Sequence, residues 1–241
     1  MSNRNYIKDE QLLDYVKFQA NRIDNGFTEE ELSRVDSVFM DYHEPVTPCW
    51  LHETKPLKKL KEVTIRFAGI SDVHYDQFKE HENLEEVTLD NCSVWNPHRL
   101  AELNLKSLTL YNCHIEDYSF ISKMSELRHL TIVHDNVDAG VINTLKNLEY
   151  LNISSSTINN YEELNLRSLR DLYIDGSNIK NLKFLRRMPK LETLGIDEDQ
   201  YFQNKFRIIF MVLKRVEVLL DGLIDLGSLI RSAPWDWLKS A

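Results

Sequence analysis

The chain has 241 residues, a formal net charge of -9, and 42% hydrophobic and 28% charged residues. This acidic balance opposes general binding to DNA or RNA, because affinity for a phosphate backbone depends on neutralising it with Lys and Arg. The most apolar run, from Ile208 to Leu213, is far shorter than the roughly 20 residues that span a membrane. Composition therefore predicts no nucleic-acid and no membrane partner, and favours association with a basic protein surface.

The beginning of the chain and its cysteines predict a cytoplasmic protein with reduced thiols. The first residues mix charged and apolar side chains and lack the apolar core and cleavage site of a signal peptide. Cys49, Cys92 and Cys113 form no CxxC pair, which argues against a disulfide framework and against a zinc site. We therefore expect no metal and no cofactor.

Residues 1–56 are predicted to form an N-terminal helical cap. Within residues 6–24, apolar side chains recur near helical spacing with charges between them, as in an amphipathic helix. These apolar residues are Ile7, Leu12, Leu13, Val16 and Ile23.

Two shorter elements are expected in the rest of this cap. Thr28 and Glu31 have the spacing of a capping box, which predicts the start of a second short helix. Val35, Val38 and Met40 follow, and their spacing suits a degenerate first strand.

An eleven-residue frame with aliphatic residues at its first, fourth, sixth and eleventh positions recurs between residues 57 and 223. "LKSLTLYNCHI" from Leu105 and "LRDLYIDGSNI" from Leu169 are clear copies. Eight copies begin at residues 60, 84, 105, 127, 148, 169, 191 and 213. The central alternation predicts a short strand with two aliphatics on one face and variable residues on the other. Stacked copies would form a parallel sheet over a continuous aliphatic core.

This frame resembles the leucine-rich repeat family, in its short bacterial, internalin-like class of about 22 residues per repeat. The resemblance implies an α/β fold: a right-handed solenoid with a parallel β-sheet on the concave face, short helices or turns on the convex face, and a helical N-terminal cap. The family prefers asparagine at the ninth position, where this chain has small or hydrogen-bonding residues that suit a turn. They are Ala68, Cys92, Cys113, Asp135, Ser156, Ser177, Asp199 and Asp221.

The C-terminal part of the chain is predicted to close the other end of the solenoid. Residues 200–214 are rich in aromatics and predict a helix on the outer side. Residues 224–241 contain Trp235 and Trp237 and are interpreted as a C-terminal cap, with an exposed partner-binding patch as the alternative.

Residues that flank the inward aliphatics should form three columns on the concave face. Seven of these 24 positions are acidic and two are basic, and aromatic residues occupy the middle repeats. Aromatic anchors beside carboxylates fit a binding patch for a basic protein surface, whereas an ordinary solvated sheet face is the alternative. The candidate partner-binding residues are Tyr111, His129, Tyr150, Asp171, Tyr173, Asp175 and Asp197.

Other notable side chains are interpreted as structural. Threonines at the middle position of four successive repeats reflect β-propensity. His129, His134 and Asp135 are not expected to converge on a metal. Cys92 and Cys113 occupy equivalent positions in adjacent repeats and are expected to be buried thiols rather than a redox pair.

No GxGxxG, GxxxxGK[ST], HExxH, GxSxG or EF-hand pattern occurs in the sequence. We therefore expect no enzymatic activity. The leading hypothesis is a non-catalytic protein-binding module that uses the concave sheet face. One alternative is an inhibitor or immunity-type protein that blocks a basic enzyme such as a nuclease. An enzyme with an undetected site and a self-assembling structural element are the others.

Overall fold

The computed structural model describes residues 7–24, 26–46, 51–213 and 217–220. Its twelve described strands are β1 (Ser37–Val46), β2 (Glu62–Ile70), β3 (Glu86–Asp90), β4 (Ser93–Val94), β5 (Ser107–Tyr111), β6 (His129–Val133), β7 (Asn136–Asp138), β8 (Tyr150–Asn152), β9 (Thr157–Asn159), β10 (Asp171–Tyr173), β11 (Thr193–Ile196) and β12 (Glu217–Leu220). Its described α-helices are α1 (Glu10–Ala20), α2 (Glu29–Leu32), α3 (Asp72–Lys79), α4 (Ala139–Ile142) and α5 (Glu198–Leu213). Short 3₁₀ helices cover Leu51–Thr54, Pro97–Glu102, Ser119–Lys123, Tyr161–Glu163 and Leu182–Arg187.

One long parallel sheet organises the molecule. Its strands follow the order β1-β2-β3-β5-β6-β8-β10-β11-β12, so that each repeat pairs with its neighbours along the chain. The inward aliphatics of the middle repeats, such as Leu130 and Leu151, are fully buried. A single strand could not bury this face alone, whereas stacking buries it continuously. The predicted solenoid and its aliphatic core are confirmed.

The register of the sheet keeps equivalent positions of successive repeats side by side. Thr64, Thr88, Thr109 and Thr131 lie next to one another across β2, β3, β5 and β6, as the sequence predicted. The column continues through Asn152, Tyr173 and Gly195.

The register predicted for the last repeat is wrong by two residues. Glu217 pairs with Thr193, and Leu219 pairs with Gly195, although the frame put Glu217 beside Gly195. Thr193 and Glu217 are 24 positions apart, whereas the neighbouring strands β3, β5, β6, β8, β10 and β11 of the long sheet begin 21 or 22 positions apart. The 16-residue helix α5 fills this connection, where most other repeats use a short 3₁₀ helix that needs fewer residues.

A left-handed residue ends the strand region in six consecutive repeats. These residues have φ between 52° and 66° and occupy the eighth position of the frame: Phe67, Asn91, Asn112, His134, Ser155 and Gly176. Asparagine and glycine tolerate this conformation best. The turn carries the chain away from the sheet at the same point in each repeat.

Three side chains at the ninth position, those of Cys92, Cys113 and Ser156, donate hydrogen bonds to the strand of the preceding repeat, and we call this set the turn ladder. Cys92 Sγ donates to Ile65 O at 3.4 Å, and Cys113 Sγ donates to Leu89 O at 3.3 Å. Two repeats later, the Ser156 hydroxyl donates to Ile132 O at 3.0 Å. Small polar residues at this position therefore satisfy backbone groups in the turn, as expected.

The turn ladder departs from the predicted frame in the seventh repeat. Asp199 is exposed and lies in α5 rather than in the turn. The adjacent Gln200 is buried, and its Nε2 donates to Ile174 O at 2.9 Å and to Ile179 O at 3.0 Å. A longer side chain thus takes over the ladder role where a helix replaces the usual turn.

The N-terminal cap forms largely as predicted. Asp9 caps α1, whose Leu12 and Val16 are fully buried. Ile23 is 98% exposed, so its predicted place on the apolar face is wrong: α1 ends where Asn21 adopts the left-handed conformation.

The two shorter elements of the cap are confirmed. Thr28 and Glu31 form both hydrogen bonds of the capping box at the start of α2. The degenerate strand is β1, which pairs in parallel with β2 through Val38 and Met40.

The predicted outer helix near the C-terminus is α5, in which Tyr201 and Ile208 are buried. Residues 224–241, including Trp235 and Trp237, lie outside the described residues, and the domain boundaries at 57 and 223 stay predictions. Within the described ranges, no helix has the length and apolar character of a membrane span.

Candidate binding surface on the concave sheet face

Three aromatic side chains lie in a row on the concave face, and we call His129, Tyr150 and Tyr173 the aromatic strip. They belong to the adjacent strands β6, β8 and β10. The ring centroids of His129 and Tyr150 are 5.9 Å apart with an interplanar angle of 74°. Those of Tyr150 and Tyr173 are 5.4 Å apart. Both distances are within the range of favourable aromatic contacts, so the strip is a continuous apolar surface with polar edges.

Gly195 in β11 determines how the strip ends. A Cβ atom at this position would lie 2.4 Å from Tyr173 Cδ1, which is closer than atoms can pack. The Tyr173 ring therefore leans over the backbone of β11. The aromatic surface consequently extends across four neighbouring strands.

Tyr111 belongs to a separate aromatic pair. Its hydroxyl lies 3.1 Å from His134 Nε2, and the two ring centroids are 5.2 Å apart in an edge-to-face arrangement. Tyr111 is 39% exposed at the end of β5, whereas His129 lies at the start of β6. The sequence placed Tyr111 and His129 in one patch but had no signal for the contact with His134, which depends on the left-handed turn.

The three candidate carboxylates have different surroundings. Asp171 pairs with Tyr150 in the sheet register, and its carboxylate forms no hydrogen bond or ion pair within the described ranges. Asp175 accepts a hydrogen bond from the Ser154 hydroxyl at 2.7 Å. Asp197 accepts two backbone hydrogen bonds at 2.8 Å, from Gly176 N and Gln200 N. Asp171 is thus the most available to a partner, and Asp197 also holds the turn before α5.

Burial of the Tyr150 ring raises the pKa of its hydroxyl, and the nearby Tyr173, Asp171 and Asp175 raise it further, although a hydrogen bond with Asn152 acts in the opposite direction. Its phenol therefore stays neutral and can donate a hydrogen bond. A neutral aromatic face beside carboxylates is a favourable site for a Lys or Arg side chain.

A second charged region lies on the N-terminal strands, outside the site predicted from the sequence. Arg66 bridges two carboxylates, donating to Asp41 at 3.0 Å and to Asp90 at 2.7 Å. Glu62 and Glu86 are side by side in β2 and β3. The sequence did contain a signal for this region, because Glu62 and Glu86 occupy the same frame position in two consecutive repeats.

The charge on this region is only partly balanced. Burial raises the pKa of Glu62, and the nearby Glu86 and Asp36 raise it further. The acidic residues of β2 and β3 thus form a second charged region, which β5, β6 and β8 separate from Asp171 on β10.

The chemistry of the other candidate residues agrees with structural roles. Across the described part of the chain, no group of three His, Cys, Asp or Glu residues could hold a metal ion. Asp135 accepts hydrogen bonds from Ile115 N and the Tyr118 hydroxyl. Burial raises the pKa of Cys92 to about 11 and that of Cys113 to about 12, so both are buried thiols, as predicted, and poor nucleophiles.

Solved structures resemble this chain over most of its length. An internalin C2 from Listeria monocytogenes matches with a TM-score of 0.64 and 21% identity, covering 89% of this chain and 94% of that protein. The chain has the leucine-rich repeat fold. InlP from the same organism matches with a TM-score of 0.52 and 13% identity, covering 80% of this chain and 64% of that protein. No protein-family model and no curated protein sequence matches the chain. The internalin-like solenoid implied by the repeat frame is thereby confirmed as a fold.

Proposed function

We propose that this protein is a non-catalytic protein-binding module whose concave face holds a partner through the aromatic strip and Asp171. The contiguous ring surface of His129, Tyr150 and Tyr173 carries this proposal. Aromatic residues with polar edges are enriched at the energetic centres of protein interfaces. The fold supports many unrelated partners, so these side chains, and not the fold alone, favour protein binding.

The chemistry of the concave face favours a partner with a basic surface. Asp171 is available beside Tyr150, and Glu62 and Glu86 add negative charge toward the N-terminal strands. Opposite charge across an interface accelerates association and restricts the choice of partner. The chain's charge of -9 acts in the same direction.

A second candidate function follows from this acidity: an inhibitor or immunity-type protein that covers the active site of a basic enzyme such as a nuclease. A curved acidic surface can lie across a basic catalytic cleft and block it. Both functions require binding without turnover. A cytoplasmic location remains part of the proposal.

The test is affinity capture from the source cell with the wild type and a Tyr150→Ala, Tyr173→Ala, Asp171→Lys variant. The matched control changes two exposed residues that lie outside the sheet strands, Phe202→Ala and Glu126→Lys. We expect the control to recover the same partner as the wild type and the concave variant to lose it. Equal recovery by both variants would exclude the concave face as the binding site.

The recovered partner then distinguishes the two functions. Association of the purified pair should slow as ionic strength rises, since salt screens the attraction between exposed charges. For an inhibitor, the partner's enzymatic activity should fall to zero at one equivalent of this protein. Full activity in the saturated complex would leave only the general binding role.

A further inference from the structure

A cleft on the convex side of the solenoid is lined by positive charge, although the chain as a whole is acidic. It has a volume of about 400 Å³, and its lining consists of Lys180, Asn181, Lys183, Gln203, Asn204 and Arg207. Lys180, Asn181, Lys183 and Gln203 are exposed, so the cleft is a depression that is open to solvent. The lining has three cations, three amides and no carboxylate, so the cleft suits a polar anion rather than an apolar ligand.

The position of the cleft is fixed by Asn204, which joins α5 to the preceding convex segment. Its Oδ1 accepts a hydrogen bond from Leu182 N at 3.1 Å, and its Nδ2 donates to Lys180 O at 2.9 Å. Asn204 itself has non-helical angles, φ -120° and ψ 16°, which interrupt α5. The interruption starts a new helical stretch at the cleft, and a helix start favours negative charge.

Within the described ranges, the three cations of the cleft, Lys180, Lys183 and Arg207, form no ion pair. Some exposed basic residues elsewhere pair with carboxylates, as Arg170 does with Glu192, whereas others, such as Lys123 and Lys190, form no ion pair in the same ranges. The cleft is distinguished because it holds three such cations together. Grouping unpaired cations costs repulsion that a bound anion would remove.

We propose that this cleft binds a phosphate-bearing ligand. Arg207 offers the planar guanidinium that binds phosphate oxygens in pairs, and the two lysines supply point charges. The amides of Asn181 and Gln203 line the same cleft and can bind phosphate oxygens or an attached group. This site lies on the opposite side of the solenoid from the aromatic strip, so it is independent of the proposed concave function.

The proposal is tested by titrating the full chain with inorganic pyrophosphate in a calorimeter at low ionic strength. We expect saturable binding by the wild type and a loss of affinity of about tenfold or more in Lys183→Gln, Arg207→Gln, since each charge-assisted hydrogen bond contributes about that much. The control Lys190→Gln changes a nearby exposed cation outside the cleft and should bind like the wild type. All variants should keep the wild-type melting temperature.

A second titration distinguishes a nucleotide from a ligand that is recognised through its phosphates alone. Adenosine diphosphate that binds more tightly than pyrophosphate would indicate a nucleotide-like ligand, whereas equal affinities would indicate recognition of the phosphates alone. The proposal would be overturned if pyrophosphate gave no saturable binding signal above that of a sodium chloride titration at matched ionic strength. Equal affinities of the wild type and the Lys183→Gln, Arg207→Gln variant would overturn it as well.

Discussion

Ser156 allows a direct test of the turn ladder. Its hydroxyl donates to Ile132 O at 3.0 Å and accepts from Asp135 N at 3.2 Å, and the residue is 3% exposed. Ser156→Ala removes the partner of both backbone groups. A buried polar group left unsatisfied costs about 1 to 3 kcal/mol. Because Asp135 is half-buried, water can reach part of this site, so we expect the free energy of unfolding to fall by about 2 kcal/mol.

Urea unfolding followed by circular dichroism measures this change. In a chain of this length the same loss corresponds to a melting temperature lower by about 4 to 8 °C. Ser156→Cys should lose less, because Cys113 forms the equivalent hydrogen bond to Leu89 O. The exposed Ser122→Ala is the control and should stay within about 0.5 kcal/mol of the wild type. If Ser156→Ala were as stable as this control, the turn ladder would not contribute to stability.

Three further predictions concern the core and its titratable groups. Leu151 is fully buried between neighbouring strands, so Leu151→Ala should lower the free energy of unfolding by about 2 to 5 kcal/mol in urea. Burial lowers the pKa of His81 in the folded protein, so the imidazole binds a proton more readily in the unfolded state. The free energy of unfolding should therefore fall as the pH drops through about 6.5, the ordinary pKa of histidine. A Cys49→Ser variant keeps only Cys92 and Cys113. Because burial raises the pKa of both thiols, we expect a thiol reagent at pH 8 to react with them only when the protein unfolds.

Each of these predictions has its own control. Phe18→Ala is the control for Leu151→Ala. Phe18 is 82% exposed, so this change should leave the free energy of unfolding unchanged. An equal loss of stability in Phe18→Ala and Leu151→Ala would contradict the assignment of Leu151 to the core. His81→Gln should flatten the pH dependence between pH 7 and 5, and an unchanged slope would exclude His81 as its source. Rapid labelling of the folded chain would show that the two thiols are accessible.

The repeat frame predicted most of the fold because its inward positions repeat in both spacing and chemistry. Stacked strands need an aliphatic pair at fixed positions, and this requirement is visible in each copy from Leu84 to Leu191. The frame failed where the connection changed length. Helix α5 shifted the register of β12 by two residues, and it moved the ladder role from Asp199 to Gln200.

The candidate site was less predictable, because contacts between outward side chains depend on direction as well as position. Column positions were sufficient to select His129, Tyr150 and Tyr173. They did not show that Tyr111 turns to His134, or that Asp197 binds two backbone amides. The basic cleft was also missed, since Lys183 and Arg207 belong to different repeats, and the contact between these repeats depends on the hydrogen bonds of Asn204 with Leu182 and Lys180.

The separation of inward and outward residues makes the functional tests interpretable. Asp171 lies on a strand that is held in place by buried leucines, so changing its charge should affect binding and leave the free energy of unfolding nearly unchanged. Asp197 is different, because its oxygens hold the turn before α5. Loss of partner binding in an Asp197 variant would therefore combine two effects. For this reason a variant at Asp171 tests the concave surface, and one at Asp197 tests the fold that supports it.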